Sequence, residues 1–191
     1  MNLKKPKFWD NKEPNIYAYL LFPITFLLDL FYKIKIRQNK KKFKIKTICV
    51  GNLNVGGTGK TSLVIEINKL LSKKLKTVFI KKKYLNQKDE FNLLKKKGKI
   101  ISKFDRINAL KIAEKNFDVA ILDDGLQQKN IKYDLKIVCV NSSEGFGNNF
   151  LLPAGPLREN VSEIKNYDII FLNGFKENDK LKKTIKKFKK N

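Results

Sequence analysis

Residues 47–61, TICVGNLNVGGTGKT, constrain what this chain can fold into more than any other stretch. The apolar run at residues 48–50 predicts a buried strand, because a continuous apolar run is typical of a strand covered on both faces. Apolar residues then recur at helical spacing over residues 63–71. A glycine-rich loop between a strand and a helix is typical of a phosphate-binding loop, in which backbone N–H groups and the helix N-terminus point at the anion.

The loop contains the residue types that bind nucleotide phosphates. Glycines let the backbone approach an anion closely, Lys60 can reach the outer phosphates, and the Thr61 hydroxyl can ligate Mg²⁺. The strict loop pattern has glycine where this chain has Asn54, and asparagine tolerates a left-handed backbone there. The alternative is an ordinary glycine-rich turn. The nucleotide-binding residues that we predict are Asn54, Val55, Gly56, Gly57, Thr58, Gly59, Lys60 and Thr61.

The chain is strongly basic, with 42 Lys and Arg against 18 Asp and Glu in 191 residues, a formal net charge of +24. Lysine, asparagine, isoleucine and phenylalanine are all frequent, which indicates a coding bias rather than one basic site. The charge predicts either a lysine-coated surface or attraction to an anionic membrane or nucleic acid. No histidine is present, which excludes histidine bases and triads. Cys49 and Cys139 lie in apolar runs, so we predict small core residues.

An apolar stretch at residues 16–32, flanked by lysines, precedes the loop. As a helix it would be about 25 Å long, slightly shorter than a hydrocarbon core of roughly 30 Å. The internal Asp29 and the lack of a small-residue cleavage site argue against a signal peptide. Three placements stay open: an interfacial or re-entrant helix, which we favour, a helix packed on the sheet, and a spanning helix. Both membrane placements put the loop on the cytoplasmic side.

Apolar strand-like runs alternate with helical stretches after the loop, which predicts right-handed βαβ units and a parallel sheet. Asp89 and Glu90 fall in a predicted polar loop, and residues 176–191 predict a basic amphipathic helix, docked on the sheet or lying on a membrane. We therefore predict an α/β fold, a P-loop NTPase-like three-layer sandwich with a mostly parallel sheet and an N-terminal apolar, membrane-associated helix. The predicted strands are residues 77–80, 100–101, 117–122, 135–140 and 168–172.

The strand at residues 117–122 ends in Asp123, Asp124 and Gly125. A phosphate-loop threonine and a strand-end aspartate can together hold the Mg²⁺ that neutralises charge on a transferring phosphoryl group. The alternative is a surface turn, where Asp and Gly are common. Together with the glycine-rich loop, this motif predicts a metal site at Thr61, Asp123 and Asp124.

Several further motifs accompany the loop in a fixed order: DE at 89–90, DDGLQ at 123–127, GFGN at 145–148, LLPAGPLRE at 151–159 and NG at 173–174. With these motifs the sequence resembles the tetraacyldisaccharide 4'-kinase family of lipid A biosynthesis over residues 5–174. The resemblance implies a kinase that uses ATP and Mg²⁺ to phosphorylate the 4'-hydroxyl of a tetraacyldisaccharide 1-phosphate, forming lipid IVA. It also implies a peripheral or monotopic position at the cytoplasmic face of the inner membrane, on an anionic surface.

The resemblance also implies roles for individual residues. The loop residues 56–61 match the family's ATP loop, which also lacks glycine at the position of Asn54, and Asp123 and Asp124 match its metal and nucleotide carboxylates. Asp89 matches the aspartate of a Gly-Asp-Glu-Pro motif that is proposed to accept the sugar hydroxyl proton. We therefore predict Asp89 and Lys60 as catalytic residues. Taken alone, Asp89 is typical of a solvated loop carboxylate.

The sequence departs from the family pattern near the predicted base. Lys82, Lys83, Tyr84 and Leu85 stand where the family has Arg-Gly-Tyr-Gly, and Lys88 and Phe91 replace the Gly and Pro around residues 89–90. Gln128 stands where the family often has His or Asn, and the family's C-terminal lobe contributes a histidine that this sequence lacks.

Three functions stay open: an active lipid kinase, a membrane-attached nucleotide-binding protein without transfer activity, and a basic nucleic-acid-binding P-loop protein. No N-K-x-D sequence is present, which disfavours a GTPase. We favour the lipid kinase, with no nucleic-acid partner, and the sequence does not predict its oligomeric state. The predicted organisation is a membrane-associating segment at 1–40, a P-loop kinase core at 41–175 and a basic tail at 176–191.

Overall fold

The computed structural model describes residues 5–11, 13–35, 39–83, 88–175 and 178–189. Two short 3₁₀ helices, Lys7–Asp10 and Val161–Asn166, accompany the main elements. The α-helices are α1 (Ile16–Lys35), α2 (Lys60–Leu71), α3 (Lys88–Lys97), α4 (Arg106–Ala113) and α5 (Asp179–Phe188). The strands are β1 (Lys46–Asn52), β2 (Thr77–Lys82), β3 (Ile100–Lys103), β4 (Val119–Asp123), β5 (Leu135–Asn141) and β6 (Ile169–Asn173).

The six strands form one sheet in the order β3-β2-β4-β1-β5-β6. The pairs β1–β4, β2–β4 and β2–β3 are parallel, which confirms the predicted α/β fold with a mostly parallel sheet. All five residues of β4 are buried, as expected for a central parallel strand. In the register of β4 with its two neighbours, Asp123 lies beside Val50 and beside Lys81. The carboxyl ends of these strands therefore share the edge where parallel α/β sheets bind ligands.

The chain forms two compact units. The first contains Met1–Gln38, Asn52–Thr58 and Cys139–Asn191, and the second contains Asn39–Gly51 and Gly59–Val138. The division at 1–40, 41–175 and 176–191 that the sequence predicts stays a prediction.

The second unit contains β2, β3 and β4 together with the helices α2, α3 and α4. Asn68 of α2 is a buried polar residue: its amide donates to the Lys97 carbonyl (3.2 Å) and its oxygen accepts from Thr77 Oγ1 (2.6 Å). Both hydrogen-bonding ends of this amide are satisfied, so its burial costs little. The fully buried side chains of this unit include Val64, Phe79, Ile80, Leu94, Leu110, Ile121 and Leu122.

The first unit packs α1 against the segment that contains LLPAGPLRE. Thr25 of α1 is 4% exposed, and its hydroxyl donates to the Leu151 carbonyl (3.4 Å) and accepts from the Ala154 N–H (3.2 Å). Phe150 packs its ring against Phe22, and Trp9 Nε1 donates to the Pro153 carbonyl (3.1 Å). One face of α1 therefore has defined partners within the protein.

The predicted N-terminal helix is confirmed as a helix, although it extends to Lys35 rather than ending at residue 32. Among the residues described, no helix is both long enough and apolar enough to cross a membrane. The predicted tail helix is α5, whose Leu181 is buried against this unit. Residues 176–177 and 190–191 of that tail, and Tyr84 and Leu85, lie outside the described residues.

The polar loop predicted around residues 89–90 is wrong. Asp89 and Glu90 lie in the first turn of α3, and three lysines lie in its last turn. Acidic residues at the start of a helix and basic residues at its end stabilise the helix dipole. This charge order favours a helix that already includes Asp89 and Glu90.

Candidate functional site

The first part of the glycine-rich loop lies in the first unit, where the LLPAGPLRE segment supports its backbone. Val55 N donates to the Pro156 carbonyl (2.8 Å), and the Leu53 carbonyl accepts from Arg158 N (2.6 Å). Asn54 lies between these contacts, in an antiparallel bridge with Leu157. Two motifs that are about a hundred residues apart in the sequence therefore form one structure, a contact that no local pattern predicts.

Asn54 does not adopt a left-handed backbone conformation; its side chain instead forms a hydrogen bond within the protein. It is 7% exposed, and its amide nitrogen donates to the Gly145 carbonyl at 2.9 Å. Among the described residues other than glycine, positive φ occurs at Asp124 and Asn149 only. The predicted reason for asparagine at this position is therefore wrong, since its amide links the loop to the GFGN motif instead.

Gly56 and Gly57 form the exposed tip of the loop. Gly56 has a φ of 132°, a backbone conformation that residues with a side chain rarely adopt. The φ of Gly57 lies outside this region, so its backbone conformation does not require glycine. A Cβ at either position would meet no atom within 4 Å. The space beside both residues is open, as the backbone approach of a phosphate requires.

The second part of the loop lies in the second unit and begins α2. Gly59 is the N-cap residue, with a left-handed backbone (φ of 81°), and Lys60 and Thr61 follow in the first turn. The N-terminus of a 12-residue helix attracts an anion through its unpaired N–H groups and its dipole. This part of the predicted nucleotide site therefore has the expected local structure.

The structure brings Thr61 and Asp123 together. Thr61 Oγ1 donates to Asp123 Oδ2 at 3.3 Å, across 62 residues of sequence. Asp123 is 1% exposed, and its Oδ1 is buried without a hydrogen-bond partner among the residues described. An orphaned carboxylate oxygen beside a threonine hydroxyl fits the ligand set of Mg²⁺.

In the part of the chain that the structure describes, no group of three or more carboxylate, cysteine or histidine side chains could hold a metal ion by itself. Mg²⁺ is commonly bound by only one or two protein carboxylates together with substrate phosphates and water. The pair Thr61 and Asp123 therefore fits a metal that arrives with a nucleotide, and not a metal held by a protein cage.

Asp124 differs from Asp123 in its backbone. Its φ is 60°, its N–H donates to the Val50 carbonyl (2.8 Å), and its own carbonyl accepts from Arg106 Nη2 (2.6 Å). Arg106 is 6% exposed and also donates to Gln128 Oε1 (3.3 Å). No sequence motif predicts Arg106 at this site. The signal that could have pointed to it is that it is one of three arginines in a chain whose other basic residues are lysine.

Lys81 is a second residue of the site that no sequence motif predicts. Its Nζ lies 2.6 Å from Asp123 Oδ2 and 2.6 Å from Glu90 Oε2. Burial lowers the pKa of Lys81, but its ion pairs with Asp123 and Glu90 outweigh burial and raise it above the ordinary value. The ammonium therefore stays charged at neutral pH. Asp89, the predicted base, is exposed and directly precedes Glu90 in α3.

Comparison with known proteins identifies the family. The LpxK family model, tetraacyldisaccharide-1-P 4'-kinase, matches residues 17–191. The chain belongs to the LpxK family. A tetraacyldisaccharide 4'-kinase of Pelagibacter ubique is 53% identical over 179 residues, which are 93% of this chain and 57% of that protein. One of Francisella tularensis subsp. holarctica is 34% identical over an alignment of 211 positions, which covers 96% of this chain and 65% of that protein.

A solved LpxK structure has a similar fold. The crystal structure of an "apo" form of LpxK from Aquifex aeolicus in complex with ATP matches with a TM-score of 0.71 and 28% identity, covering 83% of this chain and 59% of that one. The chain thus spans between 57% and 65% of the length of these LpxK relatives.

Proposed function

We propose that this chain is an ATP-dependent lipid kinase that phosphorylates the 4'-hydroxyl of a tetraacyldisaccharide 1-phosphate to form lipid IVA. One observation carries the proposal: in a member of the LpxK family, the loop hydroxyl of Thr61 contacts the buried strand-end carboxylate of Asp123. A kinase needs this pair to hold Mg²⁺ against the nucleotide phosphates. The parallel sheet suits a P-loop NTPase-like three-layer sandwich.

In this proposal each residue has one role. The loop residues 54–61 hold the ATP phosphates, and Lys60 places a positive charge on the outer ones. Thr61 and Asp123 bind Mg²⁺, which neutralises negative charge on the phosphates when bound, and Asp124 shapes the turn beside them. Asp89 accepts the proton of the sugar hydroxyl. Positioning and charge neutralisation supply most of the catalysis in phosphoryl transfer, so these few groups suffice.

The test is ATP-dependent transfer to a tetraacyldisaccharide 1-phosphate in mixed micelles. We expect transfer by the 191-residue chain and its loss by orders of magnitude in Lys60→Ala. Lys69→Ala is the matched control, because Lys69 is a lysine of the same helix whose side chain is 72% exposed. It should behave like the unchanged chain.

Two results would contradict the kinase proposal. ATP binding without transfer would mean a nucleotide-binding protein that lacks transfer activity, and the kinase proposal would fail. No ATP binding, together with tight and steeply salt-dependent binding to duplex or single-stranded nucleic acid, would instead favour a basic nucleic-acid-binding protein.

We further propose that α1 lies in the interface of an anionic membrane, at the cytoplasmic face of the inner membrane. Support comes from the solvent-facing side of the helix. At 100° per residue, Ile16, Leu20, Leu27 and Phe31 form one stripe, and the buried Ala18 and Thr25 lie on the opposite face. The four residues of the stripe are between 54% and 70% exposed. An exposed apolar stripe beside a basic surface is typical of an interfacial helix.

Co-sedimentation with vesicles that contain anionic lipid tests this placement. Leu20→Asp should weaken binding several-fold, because a charge would enter the apolar layer of the membrane. The control is Leu70→Asp, which makes the same charge change in α2 and should not weaken binding. Leu70 is 66% exposed, close to the 69% of Leu20. Equal binding by both variants would contradict the proposal.

A further inference from the structure

We infer that Lys81 is a positioning residue that shares Asp123 with the metal ion and ties that carboxylate to the start of α3, where Asp89 lies. The inference deepens the proposed function and rests on it for the roles of Asp89 and Asp123. The contacts themselves all lie within the second unit of the structure.

The sheet register places Lys81 opposite Asp123. The two residues are direct partners on the parallel strands β2 and β4, so their side chains meet without any loop to position them. The side chain of Lys81 is 5% exposed and that of Asp123 is 1% exposed. Removing two charges from water is costly, and a buried pair of this kind adds little stability compared with apolar residues of similar size. Specificity, rather than stability, is therefore the expected benefit of this pair.

Lys81 donates a hydrogen bond to one carboxylate oxygen of Asp123 and does not contact the other. Oδ2 accepts from both Lys81 and Thr61, whereas Oδ1 has no hydrogen-bond partner among the described residues. The carboxylate is thus oriented with one oxygen available to a metal ion. The ammonium also opposes a second cation by Coulomb repulsion, so it weakens metal binding while it orients the ligand.

The other partner of Lys81 is Glu90, whose side chain is 50% exposed. Glu90 lies in the first turn of α3, next to Asp89. Lys81 lies at the end of β2, so its ion pair with Glu90 joins the first turn of α3 to the end of that strand.

The test measures Mn²⁺ affinity in the presence of ADP, by electron paramagnetic resonance of the free ion, and hydrogen exchange of the amides of α3. Lys81→Met should bind Mn²⁺ roughly five- to tenfold more tightly, about 1 to 1.4 kcal/mol, because the opposing charge is gone. Its α3 amides should exchange faster, and phosphoryl transfer should fall through kcat with little change in the KM for ATP. Lys81→Arg should restore all three values to near those of the unchanged chain.

Glu90→Gln separates the two contacts of Lys81. It should speed exchange in α3 and lower kcat but leave Mn²⁺ affinity unchanged, because the pair of Lys81 with Asp123 persists. Lys103→Met, which removes an exposed lysine from the end of β3, is the control and should change none of these values. If Lys81→Met does not fold, Lys81→Gln takes its place with the same expectation.

Unchanged or weaker Mn²⁺ affinity in a folded Lys81→Met or Lys81→Gln variant would overturn the inference, as would unchanged α3 exchange in Glu90→Gln. These binding and exchange measurements need no lipid substrate. If the unchanged chain transferred no phosphate, the proposed function would fail while the metal and exchange results still decided the role of Lys81.

Discussion

At the scale of single residues, the Asp123 carboxylate receives contacts from two different elements. Thr61 of α2 and Lys81 of β2 both reach its Oδ2, and Asp123 is only 1% exposed. The sequence motif DDG predicts a metal carboxylate but does not distinguish its two aspartates. In the structure, one carboxylate oxygen of Asp123 is buried without a hydrogen-bond partner among the described residues, and Asp124 takes a left-handed backbone conformation at the turn.

The Thr61 hydroxyl should be needed for metal binding. Thr61→Ala removes the hydroxyl that contacts Asp123, so we expect Mn²⁺ affinity in the presence of ADP to fall by about tenfold or more, as expected for the loss of one ligand. Thr61→Ser keeps the hydroxyl and should bind within a few-fold of the unchanged chain. Equal affinity in both variants would mean that Thr61 is not a metal ligand.

Asp89 should act in transfer and not in nucleotide binding. It is exposed in the first turn of α3, where a substrate hydroxyl can reach it. Asp89→Asn cannot accept a proton, so turnover should fall by roughly 10²-fold or more. Binding of a fluorescent ATP analogue should be unchanged. A loss of that binding would show that Asp89 has a different role.

Cys49 should be chemically inert in the folded protein. Its side chain is fully buried, and burial raises the pKa of the thiol to about 12. Because the folded state keeps its proton above the ordinary pKa, this group lowers the free energy of unfolding as pH rises from about 9 toward 12. Iodoacetamide at pH 8.5 should therefore label Cys49 only after addition of denaturant, as mass spectrometry can show. Labelling at similar rates with and without denaturant would contradict the structure.

At the scale of elements, α4 illustrates how a short helix can position a site. Its N-cap is Asp105, whose Oδ1 accepts from Ile107 N at 3.0 Å, and its first helical residue is Arg106. Arg106 then reaches the carbonyl of Asp124. The contact of Arg106 with the DDG turn depends on how α4 packs against β2 and β3.

Loss of this cap should destabilise the protein. Asp105→Ala removes the side-chain acceptor, with an expected cost of about 1 kcal/mol in the free energy of unfolding, measured in urea. Asp105→Asn keeps an acceptor oxygen and should lose much less. An equal loss in the two variants would indicate that the charge of Asp105, rather than its cap, stabilises α4.

At the scale of the whole molecule, the net charge of +24 and the apolar stripe of α1 should act together on a membrane surface. Electrostatic attraction to anionic lipid is screened by salt, since the Debye length falls from about 8 Å at 0.15 M to about 3 Å at 1 M. Burial of apolar side chains is not weakened in this way.

Salt should therefore separate these two contributions. Between 0.15 M and 1 M NaCl, binding of the unchanged chain to anionic vesicles should weaken but persist, whereas Leu20→Asp should lose binding almost completely. Co-sedimentation measures both. Complete release of the unchanged chain at high salt would show that lysines alone attract it to the membrane.

The local sequence determined the strands, most of the helices and the phosphate-loop motif, because apolar periodicity and glycine spacing act over a few residues. It also determined the family, since the motifs are specific and keep their order. Gly125 shows the limit of such patterns. A glycine after two aspartates is common in turns, but a Cβ there would also lie 2.9 Å from the Cys49 sulfur, so close packing also requires glycine.

Only the tertiary structure decided which side chains meet. Lys81 and Asp123 are 42 residues apart and become neighbours through the register of two parallel strands, and Asn54 reaches Gly145 across 91 residues. One lysine among many carries no local signal of burial, and an asparagine in place of glycine gives no sign of its partner. The charge balance around Asp123 is therefore a property of the folded sheet, because folding alone brings Lys81 out of water and against the carboxylate.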